Sequence, residues 1–246
     1  MTMILYDLAC EDTRVRFSPH CWKVRMALAH KGLEAECVPW HYMQKDLIKD
    51  SWQGAVPVLQ HQGKMLADSW NIACYLEQSF PDTPSIFGAG EGLKPYAKFI
   101  NHWVDAELLH AIGRLIVTDI HANISPDDRA YYRRTREQRW GQTLEAFTQD
   151  RDNTVHDLRK LLEPLRSTLS TQPFLAGDHP AYPDYCVFGY FMWARTVSGF
   201  ELLDDHDPIN SWRDYLLDAF DGLARKAPRS RLIDKSRETN NTGVEA

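Results

Sequence analysis

FSPHCW, residues Phe17 to Trp22, lies between an apolar opening, MILYDL at Met3 to Leu8, and a basic run containing Ala and Leu, KVRMALAHKGL at Lys23 to Leu33. Redox proteins often place Cys-Pro-x-Cys at this point of a strand, loop, helix unit. Here Ser18 holds the first cysteine position and Cys21 keeps the second. Ser18 suits an N-cap, Pro19 the first helical position and Gly32 a left-handed C-terminal cap, so the spacing predicts a helix over Pro19 to Lys31. A thiolate near that helix start would meet free backbone N–H groups, the positive end of the helix dipole and a hydroxyl proton. A serine forms no disulfide, so the sulfur would come from a bound thiol. The plainer alternative is that Ser-Pro simply opens a helix, as it often does.

Working outward, AECVPW at Ala35 to Trp40 reads as a second strand, and HYMQKDLIKDSW at His41 to Trp52 as an irregular, helix-tending segment. Val58 to Gln60 and Lys64 to Ala67 pair around a Gln62-Gly63 turn. Asp68 or Ser69 then caps a helix, SWNIACYLEQSF, that stops before Pro81. This order is the βαβαββα thioredoxin pattern. PDTPSIFGAGEG, Pro81 to Gly92, is a Pro- and Gly-rich linker. Beyond it apolar residues recur at helical spacing in Tyr96 to Ile116, Arg129 to Phe147, His156 to Leu169, Tyr185 to Val197 and Ser211 to Phe220. The expected architecture is α+β with two domains: thioredoxin-like 1–82, linker 83–92, all-helical 93–232, and a disordered tail 233–246.

Over 246 residues, 28 Lys and Arg face 34 Asp and Glu, and the net charge of −6 argues against nucleic acid as a partner. The basic run Arg129 to Arg139 follows Asp127 and Asp128 and reads as a solvated helix face. No apolar stretch approaches the roughly 20 residues that cross a bilayer, and the N-terminus lacks a signal pattern, so a cytoplasmic protein without membrane contact is expected. The five scattered cysteines suit reduced thiols. The sequons at Asn123 and Asn240 then count as chance matches. His102 and His110 lack a third ligand at suitable spacing, so no metal is expected. No Gly-rich phosphate loop and no Gly-x-Ser-x-Gly elbow occur.

Two further features bear on Ser18. In a thioredoxin-like fold a cis proline at Val56-Pro57 turns the Val56 backbone outward, where its N–H and C=O can pair with a peptide as an added strand would. Asp68-Ser69 opens a helix whose N-terminal amides can bind a carboxylate, or is an ordinary N-cap. SPHCWKVRMALAHKGL, VPVL and DSWNIACYLE, in that order and spacing, resemble the glutathione-binding domain of cytosolic glutathione transferases. REQRWGQTLEAF, LEPLRSTL, FLAGDHPAYPDYCVFGYFMW and DAFDGLARK resemble the second domain of one subgroup, the bacterial glutathione-dependent β-aryl ether cleaving enzymes and their fungal relatives. The likeness spans about residues 3 to 228.

That resemblance implies glutathione as cofactor, with Ser18 donating to or orienting its thiolate. It implies that Val56 pairs with the cysteinyl backbone, that Pro57 is cis, and that Asp68 and Ser69 hold the γ-glutamyl end. His41, Lys45 and Lys49 are candidates for the glycyl carboxylate, and spacing does not choose among them. The second substrate would be an apolar or aromatic electrophile, with aryl-ether cleavage as one outcome, and the protein a homodimer. Ala181 stands where relatives have Ser or Thr three residues before the Asp of a core helix, at an expected loss of about 1 kcal/mol. The linker-proximal helix also differs from the subgroup. Trp103, Tyr131, Tyr132, Trp140, Phe188 and Trp193 line either a pocket or, more simply, the core. The alternatives are a transferase-fold protein that binds without turnover, and a thiol oxidoreductase using Cys21, which one turn into a helix reads first as a packing residue.

Overall fold

Strand β1 (Met3–Leu8) is central in a four-stranded sheet ordered β2-β1-β3-β4. β2 (Ala35–Trp40) runs parallel to it, and β3 (Val58–His61) and β4 (Lys64–Ala67) are antiparallel neighbours. The computed structural model describes residues 2–88, 90–230 and 233, so Asn240 and all of the expected tail except Ile233 lie outside the described residues. Helix α1 (Pro19–His30) makes the crossover that a parallel pair needs. Gln62 and Gly63, at φ 51° and 76°, form a two-residue turn whose twist matches the strands it joins. The irregular segment is a short 3₁₀ stretch, Lys45–Ser51, and α2 (Ser69–Ser79) closes the unit.

From Leu93 the described chain is helical. The segment expected as one helix over Tyr96 to Ile116 is longer and carries a wide turn: α3 (Leu93–Trp103), a π-helical stretch (Val104–Leu108) and α4 (Leu109–Asn123). The segment expected from Arg129 to Phe147 is two helices, α5 (Pro126–Trp140) and α6 (Leu144–Thr148). Gly141 at φ 70° ends the first, and the Thr143 hydroxyl, accepting from Ala146 N at 3.2 Å, starts the second. α7 (Arg151–Leu161) and α8 (Glu163–Leu169) meet at Pro164, followed by α9 (Tyr182–Val197) and α10 (Ile209–Gly222). No helix among the described residues is long and apolar enough to cross a membrane.

α9 is the spine of the core, buried at every position except Arg195. It packs against α1, α3 and α4 and so joins the sheet unit to the helices. The approach to α1 is close enough that a Cβ on Gly189 would collide with the Pro19 carbonyl oxygen. Tyr132, Phe188 and Trp193 are buried, and Trp140 stacks on Phe147 with centroids 4.1 Å apart, which makes this part of the aromatic set core. The basic face of α5 is solvated except at Arg136, whose guanidinium lies over the Tyr42 and Tyr132 rings at 5.1 and 4.6 Å. All five cysteines are free. Asn123 is buried, its amide donating to the Asp119 and Val197 carbonyls at 2.7 and 3.1 Å, which removes it as a modification acceptor.

Candidate functional site

Tyr6 pairs with Val58 and Val58 with Ala67, so the C-terminal ends of β1 and β4 flank the N-terminal end of β3. Ser18, Val56 and Asp68 continue from those three ends and therefore collect at one edge of the sheet. Two helix N-termini converge there. Ser18 Oγ caps α1, accepting from Cys21 N at 3.2 Å, and Pro19 has no N–H to satisfy. The His20 amide donates to no group among the described residues. The first turn of α1 thus offers an open N–H beside a hydroxyl.

At α2 the cap is Asp68, whose Oδ1 accepts from Asn71 N at 2.9 Å while its carbonyl accepts from Ile72 N. The Ser69 and Trp70 amides remain open among the described residues. Asp68 sits at φ 73° and ψ 129°, a backbone region costing about 1–3 kcal/mol for a residue with a side chain and typical of binding sites. Ser69 is anchored from below, its carbonyl accepting from the Tyr182 hydroxyl at 2.9 Å. The Val56-Pro57 peptide is cis, and Val56 lies outside the β3 ladder.

The candidates in the irregular segment separate. His41 is turned toward α5, its Nδ1 3.7 Å from Asp128, which also accepts from the Tyr42 and Met43 amides at 3.1 and 3.0 Å. Lys49 is exposed, and its side chain makes no hydrogen bond or ion pair among the described residues. Lys45 is held toward the cis-proline loop: its ammonium donates to the Gly54 carbonyl and lies over the Trp40 and Tyr131 rings at 5.1 and 5.3 Å.

A polar cluster behind α1 was not anticipated from sequence. Lys23 is fully buried, donating to Asn101 Oδ1 at 3.0 Å and Asp105 Oδ1 at 2.5 Å. Asp105 also accepts from the Tyr190 hydroxyl at 2.9 Å and the Asn101 amide at 3.2 Å, and lies 3.7 Å from His20 Nδ1. The π turn places it there; such turns re-aim side chains and recur at functional sites. Burial, and then the Lys23 charge, push the His20 imidazole down to about 4, so it is neutral at pH 7. The one sequence signal was Lys23 itself, a charge on the buried stripe of α1 with Pro19, Met26 and Ala27.

Cys21 is fully buried, and burial followed by the Asp7 charge raises its thiol well above the ordinary range. Asp7 is itself fully buried, with Arg25 Nη1 3.6 Å from Oδ2. A sulfur in that setting stays protonated and out of solvent, which weighs against thiol exchange at Cys21.

Profiles for the glutathione S-transferase N-terminal and C-terminal domains match residues 13–84 and 96–220. The chain belongs to the glutathione S-transferase family. Its curated relatives include glutathione transferase omega-1 of Caenorhabditis elegans, 27% identical over 196 residues. That match covers 75% of this chain and 64% of the relative, so the chain spans slightly under two thirds of that transferase's length. The glutathione S-transferase-like protein ustS of Aspergillus flavus is 23% identical over 222 residues, covering 74% of this chain and 76% of its own. Among solved structures, glutathione transferase GSTFuA3 of Phanerochaete chrysosporium superposes with a TM-score of 0.76 at 25% identity, covering 88% of this chain and 96% of its own. A Ceriporiopsis subvermispora glutathione S-transferase solved with glutathione has a TM-score of 0.74 at 22% identity, covering 90% and 97%, and supports the fold. A thioredoxin-like unit followed by an all-helical one is therefore the transferase fold.

Proposed function

We propose that this transferase binds glutathione at the sheet edge, with its thiol at Ser18, and catalyses attack of the thiolate on an aromatic or apolar electrophile. The observation that carries this reading is the pair of helix starts with open amides converging beside a serine hydroxyl. Oriented N–H groups and a hydroxyl favour the anionic sulfur, and each unit by which they lower its pKa is worth about 1.4 kcal/mol. The thiol proton leaves to solvent. The thiolate electron pair forms the C–S bond, and a leaving group such as an aryloxide departs with its bonding pair and takes a proton from water.

In this reading Val56 pairs with the cysteinyl backbone through the cis Pro57 turn, and the Ser69 and Trp70 amides, with Asp68, hold the γ-glutamyl end. Lys45, oriented by two aromatic rings and the Gly54 carbonyl, takes the glycyl carboxylate in preference to His41 or Lys49. The electrophile approaches from the loop between β1 and α1, where a cavity of about 630 Å³ is lined by Cys10, Val15 and Ala122 and by two ion pairs, Arg14 with Asp12 and Arg129 with Glu11. That lining suits an aromatic carrying polar substituents, which keeps aryl ethers among the candidates. The active form proposed is a cytoplasmic homodimer, checked by light scattering.

Titration calorimetry with reduced glutathione and ultraviolet difference spectra of the bound thiol test the core of the proposal. Binding with thiolate present at pH 7, and a Ser18→Ala variant whose pH–rate profile for conjugation moves to higher pH, are the expected results. No binding, or a profile unmoved by the substitution, rejects Ser18. Binding without turnover of chlorodinitrobenzene or model aryl ethers favours a carrier or regulatory protein.

A further inference from the structure

A cavity of about 230 Å³ opens between the end of α9, α10 and the loop after α9, and four arginines line it: Arg195, Arg213, Arg225 and Arg229. Its α9 contributors, Phe191, Ala194 and Arg195, lie across the helix from Gly189, which faces α1, since successive residues turn by about 100°, and the C-cap Ser198 adjoins them. It is thus separate from the sheet-edge site. Two carboxylates, Glu201 and Asp214, share the lining, leaving positive charge in excess. Arg225 is committed to Asp218, with contacts of 2.7 and 2.8 Å, and its carbonyl accepts from Arg195 Nη2 at 3.2 Å.

Arg195 Nη1 is buried and has no hydrogen-bond partner among the described residues. Neither Arg195 nor Arg213 forms an ion pair among the described residues. A buried guanidinium donor left unmatched is costly, and like charges packed beside it add to the cost. Burial and the Arg229, Arg225 and Arg213 charges together lower Arg195 to about 10. Water occupies about 30 Å³ per molecule, so the cavity has room for a five-atom oxyanion with some of its hydration.

We propose that this cavity is a binding site for a compact tetrahedral oxyanion, phosphate free or as the end of a small phosphomonoester, held by Arg195 and Arg213. Planar guanidinium groups present paired donors that match phosphate oxygens. An empty site leaves the Arg195 and Arg213 charges acting on each other, and an occupied one links α9 to α10.

The test uses the full chain at low ionic strength. Inorganic phosphate is titrated by calorimetry and by thermal unfolding against sodium chloride of equal ionic strength, with glycerol 2-phosphate as a second arm. Phosphate is expected to raise the unfolding temperature beyond chloride, and Arg213→Gln to weaken binding by about tenfold or more while conjugation is unchanged. Without phosphate the same variant is expected to unfold at a higher temperature than the parent, because one repelling charge has gone. Arg195→Gln should abolish binding; if it fails to fold, Arg213→Gln alone decides. Stabilisation equal to that by chloride, or phosphate affinity unchanged in Arg213→Gln, overturns the proposal. Binding of phosphate alone, or of the ester as well, supports it and shows how much of the ligand the cavity admits.

Discussion

Helices α1 and α9 lie against each other, and both start with a proline in the first turn, yet their starts are finished in opposite ways. At α1 a neutral hydroxyl, Ser18, takes one amide and leaves the next one open. At α9 the acid inside the turn takes over: Asp184 Oδ2 accepts from Ala181 N at 3.0 Å and Oδ1 from Leu175 N and Trp212 Nε1, both at 2.9 Å. Asp184 is fully buried and all its bonds are spent on the fold. A helix start becomes a binding site where its donors are left over, and a structural joint where they are consumed.

Removing the joint is the strongest way to break this contrast. Asp184→Ala leaves three buried donors unmatched, and urea unfolding at pH 7 should show a loss of about 3–5 kcal/mol. Asp184→Asn keeps the shape and isolates the charge. Burial raises Asp184 from 3.8 to about 6 despite its hydrogen bonds. The folded chain therefore holds this proton more tightly than the unfolded chain does. Relative to Asp184→Asn, the parent should gain stability as pH falls from about 6 toward 4, by up to about 3 kcal/mol. A difference independent of pH would show that the carboxyl is not raised.

Next in size is the buried pair behind α1. Asp105→Ala strands the Lys23 ammonium, for a loss of about 2–3 kcal/mol, somewhat reduced because Asp105 is one-third exposed. Adding Lys23→Met should recover most of it. If the double variant is no more stable than Asp105→Ala, the pair is not what secures α1.

Ser18→Ala sharpens the comparison from the other side. Only one cap bond is lost, so unfolding should change by about 1 kcal/mol. Conjugation should fall by about 100-fold, because the hydroxyl's larger contribution is to the sulfur anion. Equal losses of stability and rate, in kcal/mol, would make Ser18 an ordinary cap.

Legibility follows the same division. Ser18-Pro19, Val56-Pro57 and Asp68-Ser69 could be read because caps and prolines act on the backbone within a few residues, and the strands and α1 followed from local periodicity and Gly32. Lys23 and Asp105 are 82 positions apart and meet only through a π turn that no spacing rule announces. Lys45, rather than Lys49, faces the cis-proline loop because Trp40 and Tyr131 hold its stem, and Tyr131 comes from α5. The arginine cavity likewise needs α9 and α10 in contact.

The smallest effect concerns Ala181, where the sequence predicted a cap lost at about 1 kcal/mol. A capping hydroxyl serves the second or third helical amide. In α9 the second is Pro183, which has none, and the third, Asp184 N, already donates to the Ala181 carbonyl at 2.9 Å. Tyr182 N donates to the Ile86 carbonyl of the linker at 2.7 Å, and Tyr185 N to Ala181 O at 3.2 Å. A new oxygen at residue 181 would find every donor of that turn taken. Ala181→Ser should therefore change unfolding free energy by less than about 0.5 kcal/mol. A gain near 1 kcal/mol would mean that Asp184 N prefers a hydroxyl to the carbonyl, and that the linker contact through Ile86 closes this helix start less completely than its distances indicate.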